Sequence, residues 1–485
     1  MLYHSTRNLF PKVDSAQAVL NGLAPDGGLY MPENLPEFHW QACLQGDTKA
    51  MATMILSTLL PDVPHMEQLV HDAYTGKFTT EELTPTVPVG DFTVLELFHG
   101  PTSAFKDVAL CMLPQLMTAA KAAKGMKEDI LILTATSGDT GKAALEGFKD
   151  VPGVGICVFY PDGGVSAVQR AQMVTQEGNN VTVSAVRGNF DDAQTGVKKI
   201  FNACADGKLL ADKSFRLSSA NSINIGRLAP QVTYYFKAYR DLLDRGTIQL
   251  GDEVNFCVPT GNFGDILAGY LAKLLGLPVG MLICASNANK VLTDFIGCGT
   301  YDRNRPLHKT TSPSMDILVS SNLERLLYLM SGDTELVASL MQDLNTKGSY
   351  TVPAGLLETI QKTFWADFAG DGAACETIRN VWDAHGYLCD PHTACGWYTA
   401  KNYVNQTGDR RPMVVLSTAS PYKFPAAVLE SIGGDMSGDE FQQMEQLEKL
   451  TGVKIPANLA GLQGKTERHT GVINKEDMQS FVLSI

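Results

Sequence analysis

The chain has no Cys-x-x-Cys pair among its ten cysteines, so the common spacings of zinc ribbons and dithiol redox sites are missing. Several cysteines sit inside apolar runs, such as Cys157 in Ile-Cys-Val-Phe and Cys284 in Leu-Ile-Cys-Ala. They read as small buried apolar groups in a reducing compartment. The first residues, Met1 to Arg7, lack the apolar core of a secretory signal. No long uncharged apolar run is present either. The greasiest window, Ile266 to Cys284, contains Lys273 and Pro278 and reads as a helix followed by a strand, not a membrane span. A cytoplasmic location is therefore expected. There is no basic excess: 39 Lys and Arg face 52 Asp and Glu, a formal charge of -13. That disfavours binding to nucleic acid or to an anionic membrane. It does not exclude anionic small molecules, because local amides and a few cations decide a site. Internal repeats and low-complexity tracts are also missing.

What is present is material for a large folded core. Of 485 residues, 44% are apolar and 19% charged, which predicts a globular protein of two or three domains. Amphipathic spacing predicts helices near Met51–Leu60 and Met66–Tyr74, in a mostly helical segment running to about residue 80. From about residue 90, strand-like and helix-like runs alternate. The strands are Thr93–Leu97, Ile130–Thr134, Gly155–Tyr160, Val181–Val186, Val254–Val258, Met281–Ala285 and Met413–Leu416. Helices between them include Gly141–Phe148, Ala229–Leu243 and Phe263–Leu275. The alternation predicts an α/β protein with mostly parallel sheets. Ligands then belong beyond the carboxyl ends of the strands. Residues 300–385 look less regular and read as an insertion or flanking layer.

The chemistry-bearing residues cluster in such turns. Glu96-Leu97-Phe98-His99-Gly100-Pro101-Thr102-Ser103-Ala104-Phe105-Lys106-Asp107 joins a strand to an apolar helix. Lys106 falls near the helix start, where the macrodipole disfavours an ammonium and burial would lower its pKa further. A neutral amine of that kind attacks aldehydes. Most lysines instead pack their stem and leave the head in water. The turn Thr136-Ser137-Gly138-Asp139-Thr140-Gly141 offers amides and hydroxyls to a carboxylate, or simply caps a helix. Asn221-Ser222-Ile223-Asn224-Ile225-Gly226-Arg227 joins small polar groups to a guanidinium suited to phosphate. Pro259-Thr260-Gly261-Asn262-Phe263-Gly264-Asp265 is a glycine turn entering a helix, a phosphate cradle in principle. It lacks the Walker lysine and the dinucleotide glycine spacing. Ser166 in Gly164-Val165-Ser166 reads as a helix cap, and Arg170 as a solvated charge. His385, Cys389, His392 and Cys395 fall within eleven residues, yet a Pro turn divides them and no metal is expected.

Taken together, these motifs resemble the threonine synthases, pyridoxal-phosphate enzymes of the tryptophan-synthase-β fold type, or fold type II. The resemblance runs from Tyr3 to Phe424 in the expected order. It implies two parallel-sheet domains with an N-terminal subdomain over 1–80. A catalytic region over 81–430 would contain a smaller, mobile sheet domain at about 110–235. Residues 431–485 would be a helical extension. Lys106 matches the lysine that bonds pyridoxal 5'-phosphate. Phe105, Asp139, Gly261, Asn262, Phe263, Gly264, Asp265 and Thr418 fall at cofactor-binding positions. Ser137, Gly138 and Thr140 fall in the loop that binds the amino acid's carboxylate. Ser222, Asn224 and Arg227 fall on the substrate-phosphate side. Two departures stand out: relatives in the fold type often carry Asn where this chain has Asp139, and family members often show Thr-Ala-His-Pro where this chain has Thr418-Ala419-Ser420-Pro421.

The activity implied is conversion of O-phospho-L-homoserine and water to L-threonine and phosphate by a monomer or homodimer. Three rivals stand beside it. A phospho-lyase of the same fold would release 2-oxobutyrate. A non-catalytic relative would bind without turnover, which the intact Lys106 argues against. A nucleotide-binding protein would use Gly261–Gly264, which the missing Walker lysine argues against.

Overall fold

The computed structural model describes residues 1–136, 138–204 and 215–485, apart from the side chains of Asp191 and Asn202. Two sheets organise it. The larger has six strands. Four of them, β5 (Phe92–Glu96), β15 (Met413–Ser417), β10 (Val254–Pro259) and β11 (Val279–Ser286), lie side by side and run parallel. β14 (Phe364–Phe368) extends the parallel run beyond β11, and β4 (Thr86–Val89) closes the other edge antiparallel to β5. All six residues of β10 and all five of β15 are buried, as strands covered by helices on both faces must be.

The smaller sheet has five parallel strands. β7 (Val154–Pro161) lies between β6 (Asp129–Ala135) and β8 (Val181–Arg187). β9 (Phe215–Ser218) flanks β6. β16 (Val472–Asn474) flanks β8, so residues near the C-terminus complete this sheet in addition to forming the helices Glu440–Thr451 and Met478–Leu483. The expected strands are all found, most of them longer by a residue or two. The α/β expectation therefore holds, with β4 the one antiparallel member of the two sheets among the described residues.

Two regions differ from the sequence reading. The N-terminal segment carries the helices Thr48–Leu59 and Met66–Tyr74, but also a three-stranded sheet of β2 (Asn8–Asp14), β1 (Leu2–Ser5) and β3 (Tyr30–Pro32). Its strands are three to seven residues long and hardly alternate, so no period of two was visible. Residues 300–385 are not merely a flanking layer. They hold a small ribbon of β12 (Thr300–Asp302) and β13 (Ser349–Thr351), and they supply β14 to the large sheet. Among the described residues no helix is long and apolar enough to cross a membrane.

Parallel order decides where function can lie. β5, β10 and β15 end at one edge of the large sheet. Their exits are the turns bearing Lys106, Gly261–Gly264 and Thr418. β6 and β9 of the small sheet deliver the turns bearing Asp139 and Asn221–Arg227.

Candidate active site

Lys106 is the first residue of the helix Lys106–Ala123. The loop before it is zipped to the exit of β15. Phe105 N donates to the Thr418 carbonyl at 2.8 Å, and Ser420 N donates to the Ser103 carbonyl at 3.0 Å. Thr418 is thereby held beside the lysine. The Lys106 side chain is buried at 9% exposure, with Nζ 4.6 Å above the centre of the Phe105 ring and 3.5 Å from Ser314 Oγ. Burial lowers its pKa from 10.5 to about 8. The charges of Asp139 and Asp265 oppose that shift, and those of Arg227 and Lys423 reinforce it. Lys106 therefore sits in the field of residues from four different turns.

This has a measurable consequence. The neutral amine accumulates as pH rises, and here it does so through about 8 instead of 10.5. Capture of a small aldehyde by the ligand-free protein should accelerate about tenfold per pH unit below that point and level off above it. A capture rate that still climbs steeply beyond about pH 10 would show that Lys106 is not buried as described.

Asp139 opens the helix Asp139–Phe148. Its carboxylate lies 2.6 Å from Lys423 Nζ, in an ion pair whose two side chains are both almost fully buried. Gln169 Nε2 donates to it at 3.0 Å and Ser314 Oγ at 3.3 Å. Burial works against the charge, but Lys423, Lys106 and these hydrogen bonds prevail and hold the carboxyl well below the usual range. Gly138 precedes it at φ 141°, where a Cβ would stand 2.4 Å from the Gln169 side chain. No other residue fits there without displacing Gln169. Thr136 Oγ1 accepts from Gly138 N and Gly141 N, which shapes this turn. Thr140 is half-buried in the first helical turn; Ser137 lies outside the described residues.

Arg227 is buried, with Nη1 donating to the Ala220 carbonyl at 2.9 Å and Nε without a partner among the described residues. Burial lowers its pKa to about 10. Among the described residues no carboxylate pairs with it. A buried guanidinium in that state is a site for an anion. Ser222 is half-buried nearby, with Oγ 3.4 Å from Ser321 Oγ. Asn224 is bonded to the backbone on both sides of its amide. Its Oδ1 accepts from Gly226 N and its Nδ2 donates to the Val19 carbonyl, both at 2.9 Å, so it caps the short helix Ile225–Leu228 and builds the turn.

The turn after β10 leads into the helix Gly264–Leu274. Phe263 occupies the left-handed region at φ 62°, its ring buried 5.5 Å from that of Phe364. Such a conformation costs about 1–3 kcal/mol and persists only where packing enforces it. A Cβ on Gly261 would come within 2.9 Å of the Ser314 carbonyl, so this glycine lets the 314 segment close over the turn. Asn262 is exposed. Asp265 accepts from Thr260 Oγ1 and Ile266 N, and burial raises its pKa to about 6.

Several residues here escaped the sequence reading. Lys423 lies in a short 3-10 turn, Pro421–Lys423, capped by Ser420. The Ser-Pro pair after Thr418 marked that turn, but nothing local marked its lysine as buried. Ser314 belongs to the segment read as a flanking layer. Its amide donates to His392 Nε2 at 3.1 Å, so the proton of His392 is on Nδ1, which faces Asp390 at 2.6 Å. In the same stretch Cys389 and Cys395 are buried and unbridged. Ser166 does cap its helix, in a capping box with Gln169, and Arg170 pairs with Glu467 at the surface.

Comparison with known proteins fits this geometry. Models of the threonine synthase N terminus and of the threonine synthase C-terminal region match residues 2–74 and 393–482. A threonine synthase of Pseudomonas aeruginosa is 40% identical over 494 residues, covering 99% of this chain and 98% of its own. Human threonine synthase-like 1 is 38% identical over 453 residues, 88% of this chain, and the chain spans 60% of that longer protein. Among solved structures, the pyridoxal-phosphate-bound threonine synthase of Brucella melitensis superposes with a TM-score of 0.87. It is 38% identical and the match covers 99% of this chain and 98% of that one.

Proposed function

The chain belongs to the threonine synthase family, and we propose that it converts O-phospho-L-homoserine and water to L-threonine and phosphate with pyridoxal 5'-phosphate held at Lys106. The observation that carries this reading is the buried, readily neutral Lys106 amine in the shared field of Asp139, Arg227, Lys423 and Asp265. Buried thiols that form no bridge, such as Cys157 and Cys284, suit the cytoplasm as its compartment.

The residues present suit the cofactor. An aldehyde needs a neutral amine, which Lys106 offers. A phosphate needs helix-terminal amides, which the start of Gly264–Leu274 offers together with Gly261, Asn262 and Phe263. A ring nitrogen can face the Thr418 hydroxyl, held beside Phe105 by the 2.8 Å backbone bond. Asp139, kept charged by Lys423, lies beside the lysine and suits a polar or cationic group there. When bound, pyridoxal phosphate supplies an electron sink for the pair left when a Cα–H bond breaks.

The chain's own residues do the rest. The loop of Gly138 and Thr140 receives the substrate's carboxylate at the start of a helix, where amides point outward. The neutral Nζ of Lys106 takes one proton from Cα and, once that proton has been handed on, one from Cβ; one of the two ends on Cγ as the phosphate leaves and the other returns to Cα. Arg227 and Ser222 hold the phosphate while its bond to Cγ breaks, and Asn224 keeps their turn in shape. Cγ takes a proton in exchange, and the oxygen of water joins Cβ. The departing phosphate, a base released within the same site, accepts the proton of that water.

Identification of the carbon product tests the proposal. Purified protein supplied with pyridoxal phosphate and O-phospho-L-homoserine should yield threonine and phosphate in equal amounts. Release of 2-oxobutyrate and ammonia would make it a phospho-lyase instead. No product at all would remove the catalytic reading.

A further inference from the structure

The loop that carries Lys106 is held from outside the site as well as from within it. Ser103 stands at φ 60°, in the left-handed region that residues other than glycine rarely adopt. Such a conformation persists only where its surroundings enforce it, and here the whole loop is tied down. The Gly100 carbonyl accepts from Ser103 N at 3.2 Å, the Thr102 carbonyl from Lys423 Nζ at 3.1 Å and the Ser103 carbonyl from Ser420 N at 3.0 Å. Thr102 N and Thr102 Oγ1 both donate to the buried Asp107 carboxylate. The carbonyl in between, that of Pro101, is met by the C-terminal extension: Asn458 Nδ2 donates to it at 2.7 Å.

Asn458 also grips the strained residue itself. Its Nδ2 donates to Ser103 Oγ at 2.9 Å, and Ser103 Oγ lies 3.0 Å from Asn458 Oδ1. A carboxamide suits this place because it offers two N–H donors and an acceptor at once. Among the described residues Ser103 Oγ bonds to Asn458 alone, a partner 355 positions away in the chain. The partner is itself well anchored. Asn458 lies in the short helix Ala457–Ala460, whose Leu459 is fully buried. Leu459 and Leu462 share a core with Val415 of β15 and with Tyr422, and Tyr422 Oη donates to the Val453 carbonyl. The extension therefore rests on the strand and turn that deliver Thr418 and Lys423.

We infer that Asn458 is a positioning residue for Lys106, fixing through Pro101 and Ser103 the loop from which the reactive amine starts. It acts through the loop and not on the reacting atoms. The inference rests on the reading that Lys106 is the reactive amine of the proposed reaction. A reactive group displaced by about 1 Å loses about a hundredfold in rate, so a looser loop should be felt in the chemistry.

The test compares Asn458→Ala, Ser103→Ala and the double variant with the parent protein. Two readouts are taken: the rate at which ligand-free protein captures pyridoxal across a range of pH, and kcat and KM for O-phospho-L-homoserine in protein saturated with cofactor. Asn458→Ala should slow capture and kcat about tenfold and Ser103→Ala about fivefold, with KM within about threefold of the parent. The two changes break the same bonds, so the double variant should be slowed about tenfold and not about fiftyfold. The pH at which capture levels off should also rise above about 8, because a loosened loop lets the amine reach water from among Asp139, Asp265, Arg227 and Lys423. Capture and kcat within about twofold of the parent in Asn458→Ala would overturn the inference, as would independent effects that multiply in the double variant. A lower melting temperature with unchanged capture rate and pH profile would also overturn it, since Asn458 would then serve stability alone. Should Asn458→Ala not fold, Ser103→Ala decides the matter by the same twofold criterion. If the parent captures pyridoxal but makes no threonine, the proposed activity fails, and the capture measurements still decide the role of Asn458.

Discussion

Lys106→Ala should abolish turnover while leaving the fold intact. The expected loss is at least about 10³-fold, since the position supplies both the attachment of the cofactor and the proton carrier. Stability should change by less than about 1 kcal/mol, or rise. The Lys106 ammonium is buried and lies at the positive end of a helix, both of which oppose it, and its nearest polar contact is Ser314 Oγ at 3.5 Å. Alanine is also the better helix former. Lys106→Arg makes the control. It keeps a cation in place but cannot present a neutral amine, because the guanidinium stays protonated in proteins. It should be as inactive as the alanine variant and should not shift the absorption of added pyridoxal phosphate to the longer wavelength of a lysine imine. Turnover within about tenfold of the parent in either variant would take Lys106 out of the chemistry.

Lys423→Met should be the most damaging single change to stability at the site. Asp139 and Lys423 are paired at 2.6 Å with almost no exposure. Removing one partner of a buried pair strands the other charge, at a cost of about 3–5 kcal/mol. Gln169 and Ser314 still donate to Asp139, and Lys106 becomes its principal cation. The same substitution acts on Lys106. Loss of a neighbouring positive charge raises its pKa above about 8, so aldehyde capture by the ligand-free protein should shift to higher pH. Adding Asp139→Asn should return most of the stability, because the stranded charge is gone. Denaturant unfolding of the single and double variants checks this. A Lys423→Met protein within about 1 kcal/mol of its parent would mean that Asp139 does not depend on this lysine.

Most of the framework could be read along the chain. Buried parallel strands announce themselves as short apolar runs, and the turns between strand and helix announce themselves by glycine, serine and asparagine. The positions of Lys106, Asp139, Gly261–Gly264 and Arg227 followed from those local signals. The N-terminal sheet did not, because three short strands with little alternation leave no periodic trace. Nor did β14 or β16, which join their sheets from parts of the chain without regular βα spacing.

Sequence by itself determined the layout: which turns bear reactive groups, and that parallel order would bring them to the carboxyl ends of the strands. Tertiary structure alone decided their chemical state. Whether a lysine is solvated or buried depends on what packs over it, and residues 300–385 pack Ser314 against Lys106 from more than two hundred positions away. The same long-range closure pairs Lys423 with Asp139 and ties Asn224 to the backbone of Val19. Burial and hydrogen-bond partners are properties of the closed shape, and they set which groups keep their charge, lose it or wait for a ligand.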